Sequence, residues 1–235
     1  MTNIPKVIYK IYINRELDIN NLDVDTQKAI NTFINLNPNY KLKIYDEKKC
    51  IKFIKEYYTD DELYCFNKLK PYAYKSDFFR YLLLYKMGGY YTDIKNVCLV
   101  SFDDFFPSNM EWFSCIEECS LNRIANGFIA SVKEHPFLKK AIDKVIENIH
   151  SNFYGTDCTS ITGPSMFYNC CNLNKNNKIY FGKFNFLENL FSYNGECFLI
   201  WKFIKNDGNK FGQGEILNNG ENNYNKLWKR KKIYN

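Results

Sequence analysis

Four charged side chains close together in the sequence form the pattern most able to do chemistry. Asp77 and Arg80 are three residues apart in "KSDFFRY", and Asp93 and Lys95 are two residues apart in "YYTDIKN". Residues three apart share one face of a helix, so Asp77 and Arg80 are predicted to lie side by side. An acid at the end of a strand can hold a divalent cation or a ribose, and a basic side chain can pair with phosphate.

Each half of this pattern also has an ordinary structural explanation. An acid and a base at positions i and i+3 often form a surface ion pair that contributes little stability. An aspartate that follows a strand is common in turns. The four residues alone leave both interpretations open.

The elements around these residues predict an α/β fold. An apolar helix pattern begins at Pro71 and ends at Gly88 and Gly89, which suit a helix end and a close backbone approach. Strand and helix patterns alternate before it, which favours a mixed, mostly parallel sheet covered by helices. The predicted strands are 7–13, 40–46, 90–100, 111–117, 127–132 and part of 195–203, and the predicted helices are 25–38, 47–58, 135–150 and a short one within 162–171. With no repeat or linker, we expect a single domain over residues 1–235.

Composition excludes several functional classes. The 235 residues include 32 basic and 26 acidic ones, a formal charge of +6, and 46% are hydrophobic. This composition predicts a packed globule rather than a disordered chain. The charge suits a phosphate-bearing ligand but is too modest for a nucleic-acid-binding protein, so no nucleic-acid partner is expected.

Cysteines and histidines give no metal or disulfide signature. The nine cysteines include no C-x-x-C and are interpreted as reduced thiols. His135 and His150 bracket one helix without a cysteine partner nearby in the sequence, which argues against zinc. The chain has no apolar leader and no run of 18 apolar residues, so no transmembrane segment is predicted.

Five segments occur in an order that resembles a known family. They are "IPKVIYKIYI" (4–13), "YKSDFFRYLLLYKMGGYYTDIKN" (74–96), "NGFIAS" (126–131), "TGP" (162–164) and "YNKLWKRKKIY" (224–234). Together they are similar to the sugar-binding "DXD" glycosyltransferases of family 32, over about residues 4 to 235. The resemblance implies a GT-A fold and a retaining transferase, which moves a hexose or N-acetylhexosamine from a nucleotide diphosphate to an acceptor.

The resemblance also implies roles for individual residues. By motif position, Asp77 would bind the donor sugar's hydroxyls, and Arg80 would contact the sugar or a phosphate. Asp93 would be the first acid of the DXD motif, near the ribose and a metal. Tyr12 stands where the family usually has a tryptophan that stacks on the nucleobase, and Asn126 would line the sugar or acceptor pocket.

Lys95 is where this sequence departs from the family. The second acid of a DXD motif grips Mn²⁺ or Mg²⁺ through oxygen ligands, and a lysine there repels the cation. Lys95 could replace the metal and pair with the diphosphate. Alternatively, Asp93 could still hold a weakened metal site with C-terminal groups such as Asn222 or Asn223. A degenerate, inactive site is a third alternative.

Three function classes remain open at this point. The first is a glycosyltransferase with a UDP-sugar as the favoured donor, a GDP-sugar as the alternative, and a glycan, protein or lipid-linked acceptor. The second is a non-catalytic module that binds a nucleotide sugar or polysaccharide. The third is a nucleic-acid-binding protein that uses its basic tail, residues 226–232. That tail could equally be a solvated terminus, a lid over the diphosphate or a contact for an anionic acceptor. The expected location is the cytoplasm of a bacterium or of a virus-infected host.

Overall fold

The computed structural model describes residues 3–13, 22–174, 177–201 and 222–235. Within these ranges the elements are, in chain order, β1 (Val7–Ile11), α1 (Val24–Leu36), β2 (Lys41–Tyr45), α2 (Glu47–Tyr57), α3 (Asp60–Lys68), α4 (Tyr72–Met87), β3 (Gly89–Thr92), β4 (Val97–Cys98), α5 (Phe102–Phe105), β5 (Trp112–Glu117), β6 (Ile124–Ser131), α6 (Pro136–His150), α7 (Pro164–Cys170), β7 (Ile179–Asn185), β8 (Leu190–Tyr193), β9 (Glu196–Ile200) and α8 (Tyr224–Lys229). No helix in these ranges is long and apolar enough to cross a membrane.

The described strands form one mixed sheet in the order β2-β1-β3-β6-β5-β7-β8-β9-β4. β1 pairs in parallel with β2 and β3, and β5 pairs in parallel with β7. The remaining described pairings are antiparallel. The expected mixed sheet is present, but parallel pairing dominates only around β1. Tight turns join β7, β8 and β9, and such turns can connect only antiparallel neighbours.

One strand prediction is wrong in a way that matters for the site. The pattern over 90–100 suggested one continuous strand, but β3 ends at Thr92 and β4 pairs with β9 at the far edge of the sheet. Residues 93–96 make the turn that takes the chain out of the sheet. Asp93 and Lys95 are therefore turn residues beyond a strand end. Part of the predicted strand 195–203, from residue 202 onward, lies outside the described residues.

The sheet separates two apolar layers, and alternation along the strands decides which side chain enters which layer. Tyr9 and Tyr91 face the layer that contains α4 and α6, whereas Ile8 and Tyr90 face the layer that contains α5. The parallel register pairs Ile8 with Tyr90 and Tyr9 with Tyr91. The carboxyl ends of β1 and β3 therefore meet at one edge of the sheet.

The helix α4 is buried on most of its surface, because it lies between the sheet and the helices α3 and α6. Pro71 caps its start and Gly88 its end. Gly88 and Gly89 have φ angles of +61° and +110°, which L side chains rarely adopt. A Cβ on Gly89 would lie 2.8 Å from the carbonyl oxygen of Val7. The two glycines thus let α4 reverse directly into β3, which brings the first half of α4 to the carboxyl ends of β1 and β3.

Candidate active site

The Asp77–Arg80 pair predicted from the sequence forms, but it is buried rather than on the surface. Arg80 Nη2 lies 3.0 Å from Asp77 Oδ1, and the two side chains are only 6% and 13% exposed. The same guanidinium reaches Asp93, with Nη1 3.6 Å from Oδ1. Arg80 therefore links the carboxylate of Asp77, on the same helix, to the carboxylate of Asp93, which follows β3.

Arg80 is held by contacts on every side. Nη1 donates to the carbonyl oxygen of Asn126 at 2.5 Å, and Nε donates to that of Ser76 at 3.2 Å. The guanidinium carbon lies 4.3 Å from the centre of the Tyr91 ring, in cation–π contact. Burial alone would lower the pKa of Arg80, but Tyr91, Asp77 and Asp93 hold that pKa above its usual value. Arg80 is a permanently charged, immobile cation between two acids.

Asp77 has its oxygens oriented by neutral donors from other elements. Thr162 Oγ1 donates to Oδ2 at 2.9 Å, and Asn126 Nδ2 donates to Oδ1 at 3.0 Å and to Tyr81 Oη at 2.9 Å. Burial raises the pKa of Asp77 to about 6, although Arg80 and the hydrogen bond from Thr162 oppose the shift. The Asp77 carboxylate thus has a fixed orientation and a pKa of about 6. Asn126 lies beside Asp77, and its role in lining the sugar or acceptor pocket stays a prediction.

Asp93 is the most open of the three charged groups, with a side chain 33% exposed. Tyr91 Oη donates to Oδ1 at 2.8 Å, and the Asp93 amide donates to the carbonyl oxygen of Gly127 at 3.0 Å. A Cβ placed on Gly127 would lie 2.8 Å from Asp93 Oδ2. The Asp93 carboxylate therefore packs against the backbone of β6 at Gly127, and this contact fixes the orientation of the carboxylate.

A buried lysine that sequence reasoning missed lies beneath this turn. Lys10, on β1, is fully buried, and its Nζ donates to the carbonyl oxygen of Asp93 at 3.1 Å. Its ammonium lies 3.8 Å from the centre of the Phe33 ring. Burial lowers the pKa of Lys10 to about 7, although Asp93 partly offsets the effect. Residues 7–13 were predicted as a strand in which Lys10 is the only charged residue, but nothing in that segment indicated what the lysine would meet.

Lys95 and Asn96 complete the turn after Asp93. Lys95 is 9% exposed and lies within electrostatic reach of Asp23, the N-cap of α1. Asn96 Nδ2 donates to Thr92 Oγ1 and to the Gly127 carbonyl oxygen. Its Oδ1 is buried and has no hydrogen-bond partner among the described residues.

The donor set at this turn fits a divalent cation only weakly. Asp93 offers one carboxylate, and magnesium sites often use one or two carboxylates together with substrate phosphates. Asn96 Oδ1 is a second oxygen without a described partner. Against this, Arg80 already contacts Asp93, and Lys95 stands at the second acid position. The residues present can hold Mn²⁺ or Mg²⁺ through Asp93, with repulsion from two cations.

The remaining two predicted site residues have structural contacts of their own. Tyr12 directly follows β1, is 8% exposed, and donates its amide to the carbonyl oxygen of Tyr45. Its stacking role stays a prediction. Asn223 caps α8, since its side chain accepts from the amide of Lys226 at 3.0 Å. Asn222 Oδ1 accepts from the amide of Tyr72 at 2.7 Å. A metal-ligand role for Asn223 therefore also stays a prediction.

The C-terminal helix α8 lies across the start of α4. The rings of Tyr224 and Tyr74 are 5.9 Å apart, and Trp228 Nε1 donates to the carbonyl oxygen of Tyr154 at 2.5 Å. Charge on Asp77 contributes to the raised pKa of Tyr224, after the larger effect of burial, so α8 is close to Asp77. A role of α8 as a cover over a bound ligand stays a prediction.

A polar cleft of about 820 Å³ is lined in part by the loop that carries Thr162, but not by Asp77, Arg80 or Asp93. Arg123, Asp157 and Ser165 form part of its wall. Arg123 Nε donates to Ser165 Oγ at 3.2 Å, and Nη2 lies 3.6 Å from Asp157 Oδ2. The loop over residues 157–165 thus contacts Asp77 through Thr162 and lines the cleft with other residues.

Comparisons with known proteins match part of this chain to a known family. Residues 23–112 match the family model described as "Glycosyltransferase sugar-binding region containing DXD motif". This range contains Asp77, Arg80, Asp93 and Lys95 but is narrower than the expected resemblance over 4–235. An uncharacterized glycosyltransferase, L373, of Acanthamoeba polyphaga mimivirus is 26% identical over 169 residues, which are 70% of this chain and 63% of that protein.

Two further relatives agree with this result. The initiation-specific α-1,6-mannosyltransferase of Candida albicans is 31% identical over 107 residues, 45% of this chain and 26% of that protein. The solved structure of the PaToxG glycosyltransferase superposes with a TM-score of 0.55 at 20% identity, covering 72% of this chain and 69% of that one. The match confirms the expected GT-A type fold. The chain spans less than two thirds of the length of the two curated relatives.

Proposed function

We propose, from the match of residues 23–112 to the sugar-binding region of the DXD glycosyltransferases and from the GT-A type fold, that this chain is a glycosyltransferase. It would transfer a hexose or N-acetylhexosamine from a nucleotide diphosphate sugar to an acceptor. The observation that carries the proposal is the buried chain of charges Asp77–Arg80–Asp93 at the carboxyl ends of β1 and β3. Ligands of open α/β sheets bind at such strand ends. A UDP-sugar is the favoured donor and a GDP-sugar the alternative.

The roles of the charged groups follow from the reaction's charge changes. The departing nucleoside diphosphate gains negative charge, which fixed positive groups stabilise. Arg80 and Lys95 supply such groups, and Arg80 needs no reorientation because four contacts hold it. Asp77 accepts hydrogen bonds from the donor sugar's hydroxyls. A divalent cation bound at Asp93 would add positive charge beside the diphosphate.

We propose that transfer retains the anomeric configuration through substitution on the same face as the leaving group. A double displacement needs a carboxylate nucleophile, and Asp77 is already committed to Arg80, Thr162 and Asn126. In this scheme the leaving diphosphate assists the acceptor's deprotonation. Isolation of a covalent glycosyl–enzyme adduct by mass spectrometry would overturn it.

The polar cleft behind the 157–165 loop supports an acceptor rich in hydroxyl groups. Its wall offers hydrogen-bond donors and acceptors, and Phe153 adds an apolar surface. The polar residues of the wall include Arg123, Asp157, Ser165 and Asn169. Such a mixture suits a glycan better than an aliphatic chain. The helix α8 and the basic residues after it support a lid over the diphosphate, because α8 lies across the start of α4.

The test is a screen for released UDP or GDP with a panel of nucleotide sugars, with and without Mn²⁺. Wild type is expected to release nucleotide from one donor, and Asp93→Ala is expected to lose at least tenfold of that rate. Asp104→Ala, an exposed substitution on α5, serves as the matched control and is expected to behave as wild type.

The second candidate, a non-catalytic binding module, rests on Lys95 at the position of the second acid. It predicts binding of one donor by calorimetry without any nucleotide release. Release with one donor, lost in Asp93→Ala, would exclude it.

A further inference from the structure

Three ligand-type side chains from two helices converge outside the candidate active site. Asp61 and Cys65 are one turn apart on α3 and therefore on one face of that helix. His150 is the last residue of α6. The sequence argued against zinc because neither histidine has a cysteine nearby in the chain. The fold reverses that argument for His150, because α3 packs against the end of α6.

The distances between the three ligand atoms are close to those of a metal site. His150 Nε2 lies 2.9 Å from Asp61 Oδ1 and 3.9 Å from Cys65 Sγ. One ligand atom from each residue lies within 4.8 Å of the others. Tetrahedral zinc with bonds of 2.0–2.3 Å separates its ligands by roughly 3.3–3.6 Å. Shifts of about 1 Å would therefore bring the three atoms onto one ion.

The side chains can make those shifts without disturbing the core. Cys65 is fully buried, whereas Asp61 and His150 are 49% and 48% exposed. The buried thiol thus gives a fixed point, and the two half-exposed groups adjust to it. Tyr64 stacks on the His150 ring, with centroids 5.8 Å apart and planes 13° apart, so the imidazole plane is already oriented.

The chemistry of the three groups selects zinc. One thiolate, one imidazole and one carboxylate are the ligand types that Zn²⁺ uses in proteins. The charges of thiolate and carboxylate add to −2, which balances the ion. Cys65 would release its thiol proton to solvent as the Zn–S bond forms, and water would fill the fourth position. Lys68, whose Nζ donates to the carbonyl oxygen of Ile149, is the nearby cation that opposes binding.

We propose that Asp61, Cys65 and His150 bind a Zn²⁺ ion that clips α3 to α6. The ion would lie outside the Asp77–Arg80–Asp93 chain of the candidate active site. It would also steady the C-terminal segment. The Lys70 amide donates to the carbonyl oxygen of Ile233, and the Asn235 amide donates to that of Lys68, both at 2.8 Å.

The test is zinc binding by the full chain in competition with a chromogenic chelator. Wild type is expected to bind one equivalent at this site and to unfold at a higher temperature with Zn²⁺ present. His150→Ala and Asp61→Asn change exposed groups, so they should fold. Each is expected to weaken affinity by about 100-fold or more, since loss of an outer-shell partner alone costs 10–100-fold. Cobalt in place of zinc should give the near-ultraviolet thiolate charge-transfer band of four-coordinate Co²⁺.

Control variants separate this site from other zinc-binding groups. Cys119→Ser removes an exposed cysteine, and Asp93→Ala removes the proposed cation ligand of the donor site. Both are expected to bind zinc at the α3–α6 site as wild type does. Unchanged affinity in His150→Ala and Asp61→Asn would overturn the proposal, and so would a Co²⁺ complex without the thiolate band. An ordinary Asp61–His150 ion pair would then account for the cluster.

Discussion

Gly127→Ala tests the placement of Asp93 with the smallest change that the site permits. The new Cβ would lie 2.8 Å from Asp93 Oδ2 and 3.4 Å from its Cγ. Contacts below 3.0 Å are essentially absent between real Cβ atoms and their neighbours. The carboxylate must therefore move, since the β6 backbone is held by β3 and β5 on either side.

The expected losses of stability and activity depend on which atom moves to make room for the new Cβ. An ordinary van der Waals contact begins near 3.4 Å, so Asp93 Oδ2 must retreat by about 0.6 Å. The atom that must move belongs to the Asp93 side chain, which is 33% exposed, and not to the backbone. The cost to the free energy of unfolding is therefore expected to stay below about 1 kcal/mol. Catalysis is more sensitive, because a misplacement of about 1 Å can cost roughly 100-fold. We expect kcat/KM for nucleotide release to fall by about 10- to 100-fold.

The assay compares nucleotide release and thermal unfolding in a double-mutant cycle. In an Asp93→Ala background the added methyl group has no carboxylate to displace, so Gly127→Ala is expected to change nothing further. Equal losses from Gly127→Ala in both backgrounds would refute the reasoning, because the effect would then come from the strand itself. A large fall in the unfolding temperature would refute it as well.

Three further substitutions test the charges around this site. Arg80→Met leaves two acids without their cation and should cost about 3–5 kcal/mol by urea unfolding. Burial already raises the pKa of Asp77 to about 6, and removal of Arg80 should raise that pKa further. Because the cost of burying Asp77 without its cation applies only to the ionised carboxylate, the loss of stability should be larger at pH 8 than at pH 5. Equal losses at the two pH values would contradict this. Lys95→Asp places an acid at the second position of the motif. The factor by which Mn²⁺ increases nucleotide release should be at least tenfold larger in Lys95→Asp than in Lys95→Met. The same factor in both variants would exclude a metal at Asp93. Lys10→Met removes a group whose pKa is lowered by burial from 10.5 to about 7. The folded wild type then binds fewer protons than the unfolded chain between these values, so its stability should rise with pH there, and the variant should lack that rise in urea unfolding.

Sequence reasoning found the parts of the site that depend on local spacing. The Asp77–Arg80 pair follows from three-residue spacing on a helix. The aromatic residues before Asp93 indicated a strand, although the predicted strand 90–100 continued past the end of β3 at Thr92. The two glycines at the end of α4 signalled its reversal into β3. Local geometry determines these features, so one segment of sequence contains the information.

The missed partners come from distant segments. Thr162 meets Asp77 across 85 positions, and Lys10 meets Asp93 across 83. No local pattern encodes such pairings, because the sheet order decides them. The missed helix α3 is different: Thr59 and Glu62 form a capping box, a signal that the sequence contained.

The charges around the turn after β3 bear on how Lys95 fits the proposed function. Among the described residues, Arg80 lies 3.6 Å from Asp93 Oδ1, and Lys10 donates to the Asp93 carbonyl oxygen. Arg80 and Lys10 thus bring two basic side chains to Asp93, whereas Lys95, in the same turn, lies within electrostatic reach of Asp23. Under the proposed function, Arg80 and Lys10 would attract the diphosphate without a metal, and a cation at Asp93 would assist its departure.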